Sequence, residues 1–381
     1  MKRIEFHNRE KETKEIMAIL DSEPSLIMFV YGPINSGKTT LITHLIEELP
    51  DEYVVFYVNL RGKFISNYDN FVRALFKLDR EKKEYKEILK TISEVSLKSL
   101  KFTGIPVTEG VMDLFFREKT YEDVFEFLED YFTEIAENKI PVLIVDELQK
   151  IGDVRINTYL VYELFNLFVR LTKELHLCHV FAVTSDSLFV ERVYSEAMLS
   201  GRCDYLLVDD FDENATAAFL EEHGFTDDEM KVAWECCGGK PVCLLELIRA
   251  DDPERKIAKL LRLRTGELKT FLKTLNELGG KITVNDERHE INYELIIDVL
   301  KMFLDEEEID MWSIDEISKR YLVKNNILFI DPDMGIIKPQ SRLDLLAIRE
   351  VMGDAYQLWK PKKTAAATRL SSKSQSRSMT V

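Results

Sequence analysis

Apolar residues are concentrated in a few short continuous runs, and helical periodicity fills most of the chain between them. The runs lie at residues 26–31, 53–58, 140–145, 180–183 and 205–208. A continuous run of this length is expected of a parallel strand that is buried on both faces, whereas a half-buried strand alternates. The pattern therefore predicts an α/β fold in which helices flank a parallel sheet.

Beyond residue 211 the chain becomes largely helical, and a hairpin pattern appears close to its end. Residues 326–330 and 336–338 flank a turn that contains Pro332 and Gly335, which indicates two antiparallel strands. Helices followed by such a hairpin are typical of a winged helix. We therefore expect an α/β core, a small helical subdomain, a winged-helix-like domain and a disordered basic tail, over residues 1–210, 211–264, 265–358 and 359–381.

The first apolar run leads directly into a glycine-bounded loop and then into a helical stretch. The loop fits G-x-x-x-x-G-K-[ST], the phosphate-binding P-loop, in the strand–loop–helix context that this motif requires. Its glycines let backbone N–H groups point at a polyphosphate, and the following helix N-terminus attracts the same anion. The Lys38 ammonium is expected to reach the β- and γ-phosphates, and the Thr39 hydroxyl to bind Mg²⁺. The predicted nucleotide contacts are Gly32, Pro33, Ile34, Asn35, Ser36, Gly37, Lys38, Thr39 and Thr40.

The run at 140–145 ends in two adjacent acids, Asp146 and Glu147. In open α/β sheets the carboxyl ends of the strands form the ligand-binding edge, so both acids should lie beside the P-loop. Asp146 is suited to hold Mg²⁺, directly or through water, as in a Walker B motif. Glu147 is then placed to activate the water that attacks the γ-phosphate. Without the P-loop, ordinary acids at the start of a helix would be an alternative interpretation.

A further buried run ends in hydroxyl side chains at Thr184 and Ser185. This end of a strand suits a sensor that contacts the γ-phosphate or the attacking water. A simple cap for the next helix, at Ser185 or Asp186, explains the same residues. Both can hold, with Thr184 acting as the sensor and Ser185 or Asp186 as the cap.

Composition restricts the class of protein. A chain of 381 residues suggests two or three domains, and a net charge of −17 disfavours non-specific coating of nucleic acid. No apolar run approaches the roughly 18 residues needed to span a membrane, and no signal region is apparent, so we expect a cytoplasmic protein without membrane contact. The five cysteines lack the spacing of disulfide frameworks or zinc sites and are expected to be small buried side chains.

Together these residues resemble the archaeal ATPase family of the STAND/AAA-like P-loop NTPases, whose members join an ATPase core, a helical lid and a winged helix. The segments that carry the resemblance occur in the family's order: Phe6-His-Asn-Arg9-Glu10, Gly32–Thr39, Asn59-Leu-Arg61, Val145–Gln149, Gly201-Arg202 and Gly238-Gly-Lys-Pro241.

The resemblance implies roles for residues outside the P-loop. Arg9 would lie near the nucleotide base, and Pro241 of the lid would touch the nucleotide. Arg202 would act as a γ-phosphate sensor or arginine finger, although a surface arginine that pairs with this acidic chain is the alternative interpretation. Thr184-Ser185 departs from the glycine-serine common in the family, which leaves the sensor role of Thr184 open.

The leading hypothesis is an ATPase, with ATP or ADP and Mg²⁺ as cofactors, that acts as a nucleotide-driven conformational switch. A protein partner or self-association is expected with it. The alternative is a DNA-directed, initiator-like or transposon-associated ATPase that applies its winged helix to duplex DNA. Residues 313–325, with Lys319, Arg320 and Lys324, would be its weakly basic recognition helix. A metabolic kinase is disfavoured because no second substrate site is apparent.

Overall fold

The structure is a computed structural model. It describes residues 6–359 except for 83, 95–99, 119–120, 153–154, 157, 196–198 and 285–286. In chain order the strands are β1 (Ile27–Tyr31), β2 (Tyr53–Asn59), β3 (Phe76–Leu78), β4 (Leu100–Thr103), β5 (Ile105–Val107), β6 (Ile140–Asp146), β7 (Arg155–Ile156), β8 (Thr158–Tyr159), β9 (His179–Val183), β10 (Cys203–Leu207), β11 (Lys281–Val284), β12 (Glu287–Glu290), β13 (Ile309–Asp310), β14 (Leu328–Asp331) and β15 (Ile336–Pro339).

Helices cover most of the remaining described residues. They are α1 (Glu10–Leu20), α2 (Lys38–Glu48), α3 (Tyr68–Leu75), α4 (Tyr85–Glu94), α5 (Glu109–Glu118), α6 (Tyr121–Ala136), α7 (Leu160–Val169), α8 (Ser187–Ser195), α9 (Glu213–Glu221), α10 (Asp227–Cys237), α11 (Pro241–Ile248), α12 (Pro253–Leu278), α13 (Tyr293–Met302), α14 (Glu316–Lys324) and α15 (Arg342–Trp359).

The predicted α/β fold with a parallel sheet is confirmed. The main sheet has the order β10-β1-β9-β6-β2-β4, and every neighbouring pair in it is parallel. Alternate residues of each central strand enter two separate cores. In β1, Phe29 packs against the helices of one face, whereas Val30 packs against α1 and α2 on the other. Burial on both faces explains why the strands are continuously apolar.

Residues 66–138 are less helical than their pattern predicts. The short strands β3 and β5 pair with each other there, and β4 extends the main sheet at its edge. Strands of three or four residues carry too few apolar positions to distinguish a period of 2 from one of 3.6. Their pairing with a preformed sheet decides their conformation.

Polar side chains define the starts of the helices beyond the core. Asp212 accepts the Ala215 amide at α9, and Asp252 accepts the Arg255 amide at α12. Such caps satisfy amides that have no partner within the helix. Asp252 is followed directly by Pro253, whose missing N–H costs nothing at the first helical position.

The helix α12 runs unbroken from Pro253 to Leu278 and crosses the predicted boundary between residues 264 and 265. Its first half contributes Ile257 to the apolar core of the lid helices, and its second half contributes Leu268 to the C-terminal core. The helix is therefore continuous across this boundary, and the domain bounds remain a prediction. A glycine inside a helix costs only about 1 kcal/mol relative to alanine, and packing at both ends of α12 offsets that cost.

The predicted hairpin near the end of the chain is confirmed. Strands β14 and β15 pair antiparallel, with Asp331 opposite Ile336. The Asp331 carboxylate accepts the amides of Asp333 and Met334 and so holds the turn. The winged helix itself remains a prediction, and the predicted tail, apart from Trp359, lies outside the described residues.

Other expectations can be compared with the described part of the chain. Within it, no helix is long and apolar enough to cross a membrane. The cysteines there carry no disulfide, and no cluster of three or more His, Cys, Asp or Glu side chains that could hold a metal occurs among the described residues. Cys178, Cys237 and Cys243 are buried, as expected of small apolar side chains, and Cys203 and Cys236 are partly buried.

We predict opposite effects from alanine at two glycines. A Cβ on Gly239 would lie 1.8 Å from the Phe211 carbonyl oxygen, whereas a Cβ on Gly266 would meet nothing within 4 Å. Gly239→Ala should destabilise the fold by about 1–3 kcal/mol through this steric overlap. Gly266→Ala should stabilise α12 by up to about 1 kcal/mol. Thermal unfolding measures both, and an unchanged Tm in Gly239→Ala would show that the two segments separate freely.

Candidate functional site

The strands β1, β6 and β9 end side by side and place their following residues at one edge of the sheet. Asp146 lies opposite Asn59 on β2 and opposite Val183 on β9. The P-loop follows β1, and Thr184 follows β9, with its backbone N–H bonded to Val30. The P-loop, the acid pair and the sensor candidate are therefore brought together, as parallel pairing requires.

Close packing sets the shape of the P-loop. Gly32 has φ of +154°, and a Cβ there would lie 2.1 Å from the Val208 carbonyl oxygen, so no other residue fits. Lys38 begins α2 and folds back over the loop. Its Nζ donates to the carbonyl oxygens of Gly32 and Pro33, at 3.0 and 2.8 Å. A phosphate bound by the loop amides would offer the Lys38 ammonium stronger, charged acceptors.

The Lys38 ammonium is costly in this arrangement. It is buried, and burial together with the nearby Lys240 ammonium lowers the pKa of Lys38 to about 7. Asp146 and Glu147 oppose this shift and do not cancel it. Two buried ammonium groups near one loop favour an anion between them, because a phosphate would stabilise the charged form of both.

Asp146 has the surroundings expected of a metal-binding carboxylate. The hydroxyls of Thr39 and Tyr57 donate to its Oδ2 at 3.1 and 2.7 Å, and the Asn59 amide donates to the Tyr57 hydroxyl. The Thr39–Asp146 separation matches the roughly 3 Å between adjacent ligands of an octahedral Mg²⁺ with bonds of about 2.1 Å. These residues therefore fit Mg²⁺, with phosphate oxygens and water completing the coordination.

Glu147 is held in a strained conformation by a chain of polar contacts. Its φ of +64° lies in the left-handed region, which costs a non-glycine residue on the order of 1 kcal/mol or more. One carboxylate oxygen accepts from Arg61 at 2.5 Å, and the other accepts from the Gln149 amide at 2.9 Å. The Thr184 hydroxyl donates to Gln149 at 2.8 Å. Thr184 thus reaches Glu147 through Gln149, while Asp186 caps α8.

Arg9 supports the P-loop through a hydrogen bond to its backbone. Its guanidinium donates to the carbonyl oxygens of Ser36 and Asp209, at 2.6 and 2.7 Å, and lies over the Phe211 ring. The side chain is buried and also pairs with Glu12. Arg9 therefore connects the loop to the chain segment that enters the lid, and its proposed contact with the base remains a proposal.

Both the lid and the C-terminal segment bind the P-loop at the same residue. The Ile34 carbonyl oxygen accepts from Lys240 Nζ at 3.0 Å, and Lys240 also pairs with Asp210. The Ile34 amide donates to the Gln340 side chain at 3.1 Å, and Gln340 donates in turn to the Leu328 carbonyl oxygen of β14. The backbone of one loop residue is thus bonded to the lid through its carbonyl oxygen and to the C-terminal segment through its N–H.

A wider interface holds the C-terminal hairpin on the core. The Tyr31 hydroxyl donates to Asp331 at 2.7 Å, and the Tyr31 ring stacks on Phe329. Burial raises the pKa of Tyr31, and so do the hydrogen bond to Asp331 and the charge of that carboxylate. The Tyr31 hydroxyl therefore stays protonated and remains a hydrogen-bond donor. Lys338 of β15 pairs with Asp209. Since Tyr31 directly precedes the P-loop, the hairpin contacts both the strand and the loop.

A cleft of about 660 Å³ separates the acid pair from the C-terminal segment. Ile34 and Asn35 of the P-loop line it, as do residues of β11 and α14. The charged side chains along its walls are Arg61, Glu147, Asp186, Arg192, Arg320 and Lys324.

Arg202 does not lie at this edge of the sheet. Its carbonyl oxygen accepts the Ile27 amide at 2.9 Å, and Ile27 is the first residue of β1. The P-loop begins after the last residue of that strand, about 16 Å away. The Arg202 side chain therefore starts at the edge of the sheet opposite the P-loop. This position does not support a sensor role for Arg202 toward the nucleotide of its own chain. Chain order carried a signal for this, because Arg202 precedes β10 whereas the P-loop, the acid pair and Thr184 lie at or after the ends of their strands.

Sequence reasoning also missed several residues of the site. Tyr57, Gln149, Lys240 and Gln340 all contact predicted site residues directly. Tyr57 lies near the end of a buried strand and Gln149 lies just after one. Polar residues at such positions could have been recognised in the sequence as candidates for the site. Gln340 is 306 positions from Ile34, and no local pattern connects two residues so far apart in the chain.

Comparisons with known proteins cover most of the chain. Residues 6–247 match a family described as an ATPase domain predominantly from Archaea. Residues 254–352 match the C-terminal domain of MJ1010-like uncharacterized ATP-binding proteins. An uncharacterized ATP-binding protein of Methanocaldococcus jannaschii is 46% identical over 365 residues, which cover 92% of this chain and 98% of that protein. One from Pyrococcus abyssi is 44% identical over 349 residues, covering 91% and 98%.

A solved structure shares the fold across most of the chain. The Walker-type ATPase PABY2304 of Pyrococcus abyssi has a TM-score of 0.60 and 17% identity, and the match covers 90% of this chain and 96% of that one. Identity this low shows the fold alone. The two family matches and the identities above 40% establish more, and they confirm the resemblance drawn from the motifs. The chain belongs to the archaeal ATPase family of P-loop proteins that carry an MJ1010-like C-terminal domain, and its relatives are ATP-binding proteins.

Proposed function

We propose that this protein is an Mg²⁺-dependent ATPase that acts as a conformational switch, with the P-loop coupling the nucleotide to the lid and the C-terminal segment. The carrying observation is the backbone of Ile34, whose carbonyl oxygen accepts from Lys240 and whose N–H donates to Gln340. A displacement of Ile34 on binding or losing the γ-phosphate would strain both bonds. This supports a switch more directly than it supports a metabolic enzyme.

The chemistry follows from the positions of the chain's own groups. The loop amides and Lys38 would bind the phosphates, and Arg9 would hold the loop on the base side. Mg²⁺, when bound by Thr39 and Asp146, would neutralise charge on the β- and γ-phosphates. Glu147 would orient the attacking water and take its proton.

In this proposal Arg61 and Gln149 position Glu147, because each donates to one of its carboxylate oxygens. The remaining lone pairs of the carboxylate can accept a hydrogen bond from the attacking water. Thr184 bonds Gln149 and can therefore act as the sensor that transmits the presence of a γ-phosphate to Glu147.

Arg202 fits the proposal only as an arginine finger supplied to another copy of the chain. It lies at the edge of the sheet opposite its own P-loop, so it reaches a nucleotide only in trans. Self-association is therefore part of the proposed function. The loss of turnover in Arg202→Ala would then be rescued by mixing with a Glu147→Gln protein, which supplies Arg202.

We expect Glu147→Gln to abolish turnover while nucleotide binding persists. Removing a general base of this kind lowers the rate by about 10²–10⁴-fold, whereas the phosphate contacts do not involve Glu147. Steady-state phosphate release and binding of a fluorescent ATP analogue measure the two effects. Glu174→Gln, an exposed acid outside the site, is the control and should leave both unchanged. Equal turnover in Glu147→Gln would remove this residue from the role.

Nucleotide binding should take up a proton above neutral pH. The pKa of Lys38 is lowered to about 7 in the empty loop, and bound phosphate should raise it because it favours the charged ammonium. At pH 8.5 we therefore expect uptake approaching one proton per ATP. Calorimetric titrations in buffers of different ionisation enthalpy measure this number. Binding without proton uptake at pH 8.5 would contradict a neutral Lys38 in the empty site.

We expect Gln340→Met to weaken the coupling between the loop and the C-terminal hairpin. Methionine fills a similar volume but cannot accept the Ile34 amide. Hydrogen exchange of β14 should respond to ATP in the wild type and respond less than half as much in Gln340→Met. Lys338→Met is the matched control, since it removes an interface ion pair without touching the loop. An unchanged response in Gln340→Met would overturn Gln340 as the coupling residue.

A further inference from the structure

The solvent-facing side of α12 carries a straight row of basic side chains. Arg255, Lys259, Arg262, Lys269 and Lys273 are all exposed and follow a spacing of three, four and seven residues. At about 100° per residue these five positions fall within an arc of about 80°. The row is about 27 Å long at 1.5 Å per residue.

The opposite side of α12 is fixed to the rest of the protein. Ile257 is buried in the lid core, while Leu268, Leu272 and Leu275 are buried in the C-terminal core. The Arg264 guanidinium also pairs with Asp344 of α15. The row is therefore presented on a rigid support, and its direction is set by packing on both cores.

The charges of the row are unusual for this protein. The chain has a net charge of −17, yet α12 has seven Lys or Arg and three Glu. Arg255 and Lys259 are four residues apart, and so are Lys269 and Lys273, so like charges face each other and destabilise the helix. Among the described residues, no ion pair involves Arg255, Lys259 or Arg262, while Lys273 has a long pair with Glu277. Helix stability alone therefore does not account for this row.

The helix predicted to contact DNA is used differently. In α14, Lys319 is buried and pairs with Glu191 of α8 at 2.6 Å and with Glu316. Arg320 pairs with Glu316 as well, and both Arg320 and Lys324 line the cleft opposite the acid pair. The basic side of α14 thus faces the core, and the expectation of a recognition helix there is not supported in this arrangement.

We propose that the exposed row of α12 is a binding surface for the phosphate backbone of duplex nucleic acid. A row of five cations on a rigid helix complements a regular array of phosphates, and contacts of this kind do not depend on base sequence. A membrane-surface helix would expose a continuous apolar face beside its basic one, whereas in α12 Ile257, Leu268, Leu272 and Leu275 are buried in two cores. The exposed leucines of this helix, Leu263 and Leu278, are 15 residues apart and form no such face. Single-site recognition by base edges is not implied, because no groove-reading element accompanies the row.

This surface is independent of the proposed ATPase chemistry. None of its residues contacts the P-loop or the acid pair among the described contacts. The row belongs to a helix that packs on the lid helices α10 and α11 and on α15. Binding can therefore be measured on the full chain with the Glu147→Gln substitution, so that failure of hydrolysis and failure of duplex binding are separate results.

The test uses fluorescence anisotropy with a labelled 20-base-pair duplex of arbitrary sequence in 50–200 mM salt. We expect log Kobs to fall against log salt with a slope of about −4, since each neutralised phosphate contributes roughly 0.9. The triple variant Lys259→Glu, Arg262→Glu, Lys273→Glu should weaken binding at least tenfold and lower the slope by two or more. A milder triple Gln variant should show the same direction, with Tm and ATP binding unchanged.

The matched control reverses three exposed lysines elsewhere, Lys11→Glu, Lys14→Glu and Lys231→Glu, and so makes the same change in net charge. It should keep duplex affinity within about threefold. Three outcomes would overturn the proposal. These are no binding by the wild type at 50 mM salt, an equal loss in the control, and row-dependent binding to phosphatidylserine vesicles without binding to the duplex.

Discussion

The structure depends on the curvature of one short loop whose amides must remain free for an anion. Gly32 packs against the Val208 carbonyl oxygen so closely that only glycine fits at this position. The Arg9 guanidinium donates to the Ser36 carbonyl oxygen and holds that part of the loop. The backbone of Ile34 is bonded at both its carbonyl oxygen and its N–H, to Lys240 and to Gln340. These contacts use carbonyl oxygens of the loop and a single amide, while the Ser36 amide donates to the Pro33 carbonyl oxygen within the loop. The loop is thus the common support of the core, the lid and the hairpin.

Electrostatics at the sheet edge favours an anion and a divalent cation together. Burial and the neighbouring Lys240 ammonium lower the pKa of Lys38. Asp146 accepts from two hydroxyl donors, while Glu147 accepts from Arg61 and Gln149. In the proposed switch a bound Mg²⁺-nucleotide would change the surroundings of each of these groups. Lys240 also contacts the loop, so such a change would reach the lid directly.

The long helix α12 joins the lid to the C-terminal segment as one rigid element. Because it contributes to both apolar cores, a displacement of the lid would carry the C-terminal core with it. The basic row on its outer face would move as part of the same body. The proposed surface for a polyanion and the proposed nucleotide response of the loop would thus be linked through packing, without direct contact between them.

Local sequence was sufficient to predict the parts of this protein whose structure depends on a few neighbouring residues. The P-loop, the buried strands, the acids at the end of β6 and the β14–β15 hairpin each depend on a few consecutive residues, and parallel pairing then places the strand ends together. Tertiary structure decided the rest. Arg202 lies at the far edge because β10 pairs in parallel with β1, α14 places Lys319 against Glu191 of α8, and Gln340 reaches Ile34 across 306 positions. Such contacts depend on how whole segments pack, and short-range patterns of charge and hydrophobicity carry no record of that packing.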